Sequence, residues 1–124
     1  MKTARYTFGI SAIYGLLTVV PLFFYEQKLG IDYPPLITHA EYFYTFAAVT
    51  LVWQILFIFI ALNPLKYRPV MPFCVAEKFC LIPAFVILFP QGRFPSLWIP
   101  LVIIDIAFGV GFFIVFIKLK NNPI

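Results

Sequence analysis

Five polar residues stand inside runs that are otherwise apolar, and they are the chain's candidates for chemistry: Tyr14, Gln54, Glu77, Lys78 and Asp105. An ionisable side chain surrounded by hydrocarbon costs about 3 kcal/mol or more, so each needs a partner, a cavity or a task. Carboxyl groups such as Glu77 and Asp105 can exchange protons or hold a ligand, and a lysine such as Lys78 can neutralise one of them. Gln54 and Tyr14 offer hydrogen bonds without charge.

Two readings of this set stay open. In the structural one, Glu77 and Lys78 are neutralised with Gln54 and Tyr14, and Asp105 bonds a hydroxyl or carries a proton. Lys78 then runs toward the headgroups, because its stem leans toward the helix N-terminus. In the other reading the set is a ligand or proton site, with Glu77 and Asp105 as exchangeable carboxylates. Glu77 and Lys78 are neighbours, about 100° apart on a helix, so they are not expected to face the same way. That spacing favours a structural role for at least one.

A second group, Asp32, His39 and Glu41, falls in a connecting segment that forms an outer loop. His39 is the chain's one histidine. One imidazole and two carboxylates make a weak metal set, and His39 is accounted for as the first residue of a capped helix, so no metal is expected. There is no Ser-His-Asp set, Gly-rich phosphate loop or CxxC, which leaves hydrolase, nucleotide and thiol-redox chemistry without support and implies no cofactor. Cys74 and Cys80 are six residues apart. On a helix they turn to different faces, about 9 Å apart along the axis, and are expected as two buried small apolar residues.

The elements that must position these residues follow from composition. Hydrophobic residues make up 63% of the 124 and charged residues 11%. Soluble domains carry roughly 25% charged residues, so the solvent for this surface is lipid. The net charge of +4 does not imply nucleic acid, because the basic residues are scattered at the ends of apolar runs rather than gathered on a polar face. Four runs reach the length of about 20 residues that a spanning helix needs: 6–25, 39–62, 71–89 and 97–117. The fold class is therefore all-α, an integral membrane four-helix bundle in one domain. The first run follows Lys2 and Arg5 but lacks a small-residue cleavage pattern, and is expected to remain as a span.

Local signals mark the ends. Thr38-His39-Ala40-Glu41 reads as a capping box for the second helix, with Ile37 and Tyr42 at the staple positions. Asn63-Pro64 ends that helix. Ser96 is a candidate N-cap for the fourth, with Pro100 in its first turn. Pro21 and Pro83 lie within spans and free the carbonyls of Leu17 and Phe79, predicting kinks. Ser11/Gly15 and Ala107/Gly111 form small-xxx-small pairs suited to close helix approach. Tyr33-Pro34-Pro35-Leu36-Ile37 is expected to lie across the outer mouth of the bundle.

Six basic residues (Lys2, Arg5, Lys66, Arg68, Lys118, Lys120) fall on one side of this topology and two (Lys28, Arg93) on the other. The imbalance places both termini in the cytoplasm. Measured from that side at 1.5 Å per residue, Tyr14 and Gln54 lie about 12 Å deep, Glu77 and Lys78 about 9 to 10 Å, and Asp105 roughly 18 Å. Four of the five polar groups thus share a level and, facing inward, would form a polar layer.

The segments Tyr33-Pro34-Pro35-Leu36-Ile37-Thr38-His39-Ala40-Glu41-Tyr42-Phe43, Trp53-Gln54, Asn63-Pro64-Leu65-Lys66-Tyr67-Arg68-Pro69 and Glu77-Lys78 resemble those of a family of small four-helix bacterial inner-membrane proteins to which no activity is assigned. The resemblance implies a fold and an inner-membrane location. The plan also looks like that of the DoxX-like proteins. Leu51-Val52-Trp53-Gln54, followed by a span bearing Pro83, is distantly similar to EXPERA-domain proteins, a likeness that implies a lipid cavity lined by carboxylates. This chain has Thr50 where that pattern has an acidic residue, and Glu26-Gln27 echoes the other acidic position loosely.

Three functions are compatible with these residues. The first is a non-catalytic accessory or scaffold subunit, or small oligomer, whose buried polar layer fixes helix register. The alternative is a module that binds or transports a hydrophobic ligand (a lipid, sterol-like molecule, quinone or cation) near Gln54, Glu77 and Asp105. The third is a membrane enzyme acting on a lipid, with Glu77 or Asp105 as general acid or base. Expected partners are the bilayer, a hydrophobic small molecule, and a second copy or a larger membrane complex.

Overall fold

A computed structural model describes residues 2–32, 36, 38–94, 96 and 98–120. Among them every regular element is helical: α1 (Lys2–Val19), α2 (Glu26–Asp32), α3 (Ala40–Leu62), α4 (Met71–Phe79), α5 (Leu81–Leu88) and α6 (Trp98–Lys120), with 3₁₀ turns at Val20–Phe24 and Arg68–Val70. They combine into four helical stretches long and apolar enough to cross a membrane: Lys2–Phe24, Ala40–Leu62, Arg68–Leu88 and Trp98–Leu119. This is the make-up of a multi-pass membrane protein. α1 lies against both α3 and α6, and α4 packs on α6.

The start of α1, the end of α3, the start of α4 and the end of α6 share one core. There the ring of Phe8 stacks on Phe112, with centroids 4.1 Å apart and planes within 6°. Phe57 meets Phe112 edge-on at 5.1 Å. Ala4, Ala12, Ile60, Met71, Cys74, Val115 and Leu119 fill the space around the three rings. Arg68 fastens the α3–α4 connection to this end: its Nη2 donates to the Phe116 carbonyl at 3.2 Å, and its guanidinium lies 4.1 Å from the Phe116 ring centroid.

The helix ends follow local chemistry, with one exception. α3 stops at Leu62, as Asn63-Pro64 requires, and the Asn63 side-chain oxygen accepts from the Lys66 amide at 3.3 Å. At the other end of α3 the expected capping box does not form. His39 is the cap residue and makes no side-chain cap bond. The Glu41 carboxylate turns instead to His39 Nδ1, 3.2 Å away, and Thr38 is left exposed. A neighbouring imidazole thus takes the carboxylate that would have reached back to the cap amide. Ile37 and the run 33–35 lie outside the described residues, and with them the staple and the segment expected over the bundle mouth.

Both prolines act where the sequence places them. Beyond Val19 the first span tightens into a 3₁₀ turn around Pro21. The third span breaks at Cys80, one turn before Pro83. Pro83 has no amide to give the Phe79 carbonyl, so the chain closes a turn early: the Cys80 amide and thiol both donate to the Glu77 carbonyl, at 3.4 and 2.8 Å. Past this break no residue of α5 is buried. Cys74 is buried but Cys80 is exposed, so only one cysteine is the core residue expected. The turn after α5 needs Gly92 at φ 70°, a conformation that other residues adopt only with strain.

The small residues serve unequally. Ser11 and Gly15 are buried where α1 meets α3, but Ala107 faces outward and does not join Gly111 at an interface. The closest approach on α6 is at Gly109, where an added Cβ would sit 2.9 Å from the Phe79 ring and 3.1 Å from Lys78 Cβ; at Gly111 it would sit 3.2 Å from Thr7 Cγ2 of α1.

Candidate functional site

Above the aromatic core the four stretches part around a cavity of about 140 Å³. α1 contributes Tyr14, Gly15, Thr18 and Val19, α3 contributes Phe43, Phe46, Thr50 and Gln54, and α6 contributes Trp98, Leu101 and Asp105. Glu77 and Lys78 come from the last turn of α4, and Leu81 from the first turn of α5. Leu22 and Leu29 close it from the 3₁₀ turn and from α2. All five residues singled out for chemistry therefore border one space. They form its polar floor, and the walls are mostly apolar.

Lys78 and Asp105 form an ion pair, Nζ to Oδ1 at 3.4 Å, with side chains 4% and 21% exposed. The lysine does not extend to the headgroups as expected, because a carboxylate is within reach on α6. Its ammonium also lies 5.1 Å from the Phe57 ring centroid and 5.6 Å from that of Phe108, faces that attract a cation. Nor does Asp105 bond a hydroxyl; its partner is the ammonium. Glu77 and Lys78 border the cavity together despite their angular separation.

The remaining polar atoms are not paired with one another. Gln54 is 1% exposed, and its Nε2 donates to the Thr50 carbonyl one turn back, at 3.0 Å. That bond fixes the amide's orientation, since flipping it would set oxygen against oxygen. Gln54 Oε1 is then a buried acceptor without a partner; Glu77 Oε1 and the Tyr14 hydroxyl, which can donate or accept, are also buried without one. Gln54 lies against α1: a Cβ at Gly15 would overlap its side-chain amide, Oε1 most closely, so the absence of a side chain at Gly15 makes room for that oxygen beside the helix. The expected neutralisation of Glu77 by Gln54 and Tyr14 is not made.

Aromatic side chains crowd the end of the cavity away from the core. Trp98 lies 5.5 Å from Phe46 across the α3–α6 gap and 6.3 Å from Phe94. Phe94 in turn meets Phe85 of α5 edge-on at 5.3 Å. α2 was not foreseen, since its seven residues carry too little apolar periodicity to separate it from a loop. It is tied down by Glu26, whose carboxylate accepts a 3.0 Å bond from Tyr44 Oη of α3. Thr18, Phe46, Thr50, Trp98 and Leu101 also line the site and were not singled out; Thr50 stood only as a departure from a family pattern. Apolar wall residues look the same in sequence whether they face a cavity or lipid.

The outer group is not drawn into this site. His39 and Glu41 pair with each other with both side chains 66% exposed. Asp32 borders a separate recess with Leu22, Tyr25, Lys28 and Leu29. Among the described residues no three His, Cys, Asp or Glu side chains converge as metal ligands would.

Comparison with family models, curated proteins and solved structures finds no match to this chain, so its site is interpreted from its own geometry.

Proposed function

We propose that this chain is a multi-pass inner-membrane protein that binds a hydrophobic small molecule, non-catalytically, in the cavity between its four helical stretches. One observation carries the reading. Three polar atoms from three helices, Tyr14 Oη, Gln54 Oε1 and Glu77 Oε1, are buried without partners on residues that line an apolar-walled space. An unsatisfied buried polar group costs about 1 to 3 kcal/mol, and a ligand headgroup that bonds these atoms would recover it. Apolar walls with a few convergent polar groups are the usual make-up of a small-molecule site. A sealed apolar cavity of about 150 Å³ holds benzene; this space has a similar volume but is not closed, so it suits a polar head on a short chain whose ring extends toward the mouth.

The topology proposed has both termini in the cytoplasm. Lys2, Arg5, Lys66, Arg68, Lys118 and Lys120 all fall at the end of the molecule that holds the aromatic core. Such a cluster supports a cytoplasmic face, and the cavity then lies toward the outer leaflet. The resemblance to small bacterial inner-membrane proteins is in keeping with that location.

The scaffold reading draws support from one place, the Lys78–Asp105 pair, which ties α4 to α6. It gives no use to the free oxygens of Gln54 and Glu77. The two readings assign different residues, and the pair can fix register while its neighbours bind.

The test is thermal unfolding in a neutral detergent with and without 4-phenylbutan-1-ol, whose chain can reach the polar floor while its ring lies toward the mouth. Wild type is expected to be stabilised by about 2.7 kcal/mol at a ligand concentration one hundred times Kd. Leu101→Trp, which fills the cavity from α6, is expected to abolish the effect. Absence of stabilisation by this probe and by its amine and carboxylate counterparts would overturn the proposal, as would undiminished binding by a folded Leu101→Trp variant.

A further inference from the structure

We infer that the ligand's head is a cationic hydrogen-bond donor, an alkylammonium carried on an apolar ring or chain, and that Glu77 is the residue that selects it. The inference rests on the binding function proposed above and narrows its ligand class.

The donor and acceptor count at the cavity floor leads there. Two carboxyl groups, Glu77 and Asp105, face one ammonium, Lys78. Lys78 is engaged with Asp105 at 3.4 Å and flanked by the rings of Phe57 and Phe108. Glu77 therefore has no basic partner, and its Oε1 has no hydrogen bond. Gln54 adds a second acceptor, because its amide nitrogen is already given to the Thr50 carbonyl. An ionised carboxylate offers only acceptors, and an amide oxygen in this orientation does the same. Tyr14 Oη can donate as well as accept, so it does not discriminate between heads. A carboxylate head would set its charge against Glu77, and a quinone would find an unpartnered donor at Tyr14 but acceptors at Glu77 and Gln54. A hydroxyl would satisfy one oxygen. An ammonium has three donors and the complementary charge, and a charge-assisted bond is roughly twice as strong as a neutral one.

The walls set the rest of the molecule. Trp98 and Phe46, 5.5 Å apart, present aromatic surface on the route from the polar floor to the mouth. An amine with an aromatic ring three or four carbons away would place its charge at Glu77 and its ring among these side chains.

The experiment compares three probes that share one tail: 4-phenylbutylamine, 4-phenylbutan-1-ol and 4-phenylbutyrate, in a maltoside detergent at neutral pH. Trp98 fluorescence reports occupancy in a Trp53→Phe background. The amine is expected to bind about tenfold tighter than the alcohol, and the carboxylate weakest. Glu77→Gln is expected to bring amine and alcohol within about threefold of each other, chiefly by weakening the amine, and Glu77→Asp to restore part of the preference. If the alcohol or carboxylate equals the amine in wild type, the cationic selection is overturned and the binding site stands. If no probe binds, the site itself is overturned. The wild-type series does not depend on how well the variants fold, and a Glu77→Gln variant that keeps the full amine preference removes Glu77 from the role.

Discussion

At the end where α1 begins and α6 finishes, Phe8, Phe57 and Phe112 are fully buried and interlocked, with centroid separations of 4.1 to 6.0 Å. Toward the other end the same helices border an open space, and no residue of α5 is fully buried. Lipid tails are as apolar as any core, so burial gives helices in a membrane little reason to associate. What holds the first end is the fit of rings against small residues and a guanidinium laid over a carbonyl and a ring. The second end lacks that fit and keeps instead an ion pair and three unpartnered oxygens on residues that line the space, while at the first end Arg68 Nε is left unpartnered. Stability and binding are thus divided along the length of the helices, with Lys78 at the boundary.

Four substitutions probe that division. Phe112→Ala removes the ring that both other phenylalanines touch and is expected to cost about 3 to 5 kcal/mol, read as a large fall in the unfolding midpoint in detergent. An effect no larger than that of a wall substitution such as Leu101→Ala would mean the two ends are not distinct. Lys78→Met leaves Asp105 without its counter-ion and is expected to cost about 3 kcal/mol or more. The double variant Lys78→Met/Asp105→Leu should recover most of that loss, because the penalty lies in the unpaired charge. Gly15→Ala forces a methyl into the Gln54 amide and is expected to cost about 1 to 3 kcal/mol. In the cycle with Gln54→Ala, which removes the obstructed group, the two effects should be strongly non-additive. Glu77→Gln removes no observed partner and is expected to change stability by less than about 1 kcal/mol, although it lies directly beside Lys78. A loss as great as that of Lys78→Met would assign Glu77 to the framework rather than to ligand.

Much of this arrangement is legible in the sequence, and the parts that are not have a common cause. Four stretches of spanning length stand out because the bilayer demands long apolar runs, and the five polar residues within them do border one cavity. Pro83 locates the break at Cys80, and Asn63-Pro64 the end of α3. Side-chain facing is less legible. In a soluble helix polar residues mark the outside, but here both outside and inside are apolar, so nothing in the pattern shows that Cys80 and Ala107 face out while Cys74 and Gly109 face in. Partner choice is also hidden. The Lys78–Asp105 pair depends on α4 lying against α6, and the sequence equally allows the lysine to extend to the headgroups. Adjacent charges can meet one space when the helix that carries them ends beside it, as α4 does directly after Glu77 and Lys78. The capping signature at Thr38 did not take account of the imidazole between its two members.

The exposure of α5 has an evolutionary consequence. Nothing inside the chain discriminates among apolar side chains at the outward positions Val86 and Ile87, so mutation can wander there under no pressure beyond greasiness and helicity. Met71, Cys74 and Lys78, earlier in the same span, enjoy no such latitude, since each is enclosed by neighbours. A saturation library of the third span, sorted for membrane expression, should show tolerance greatest at Val86 and Ile87 and least at Met71, Cys74 and Lys78.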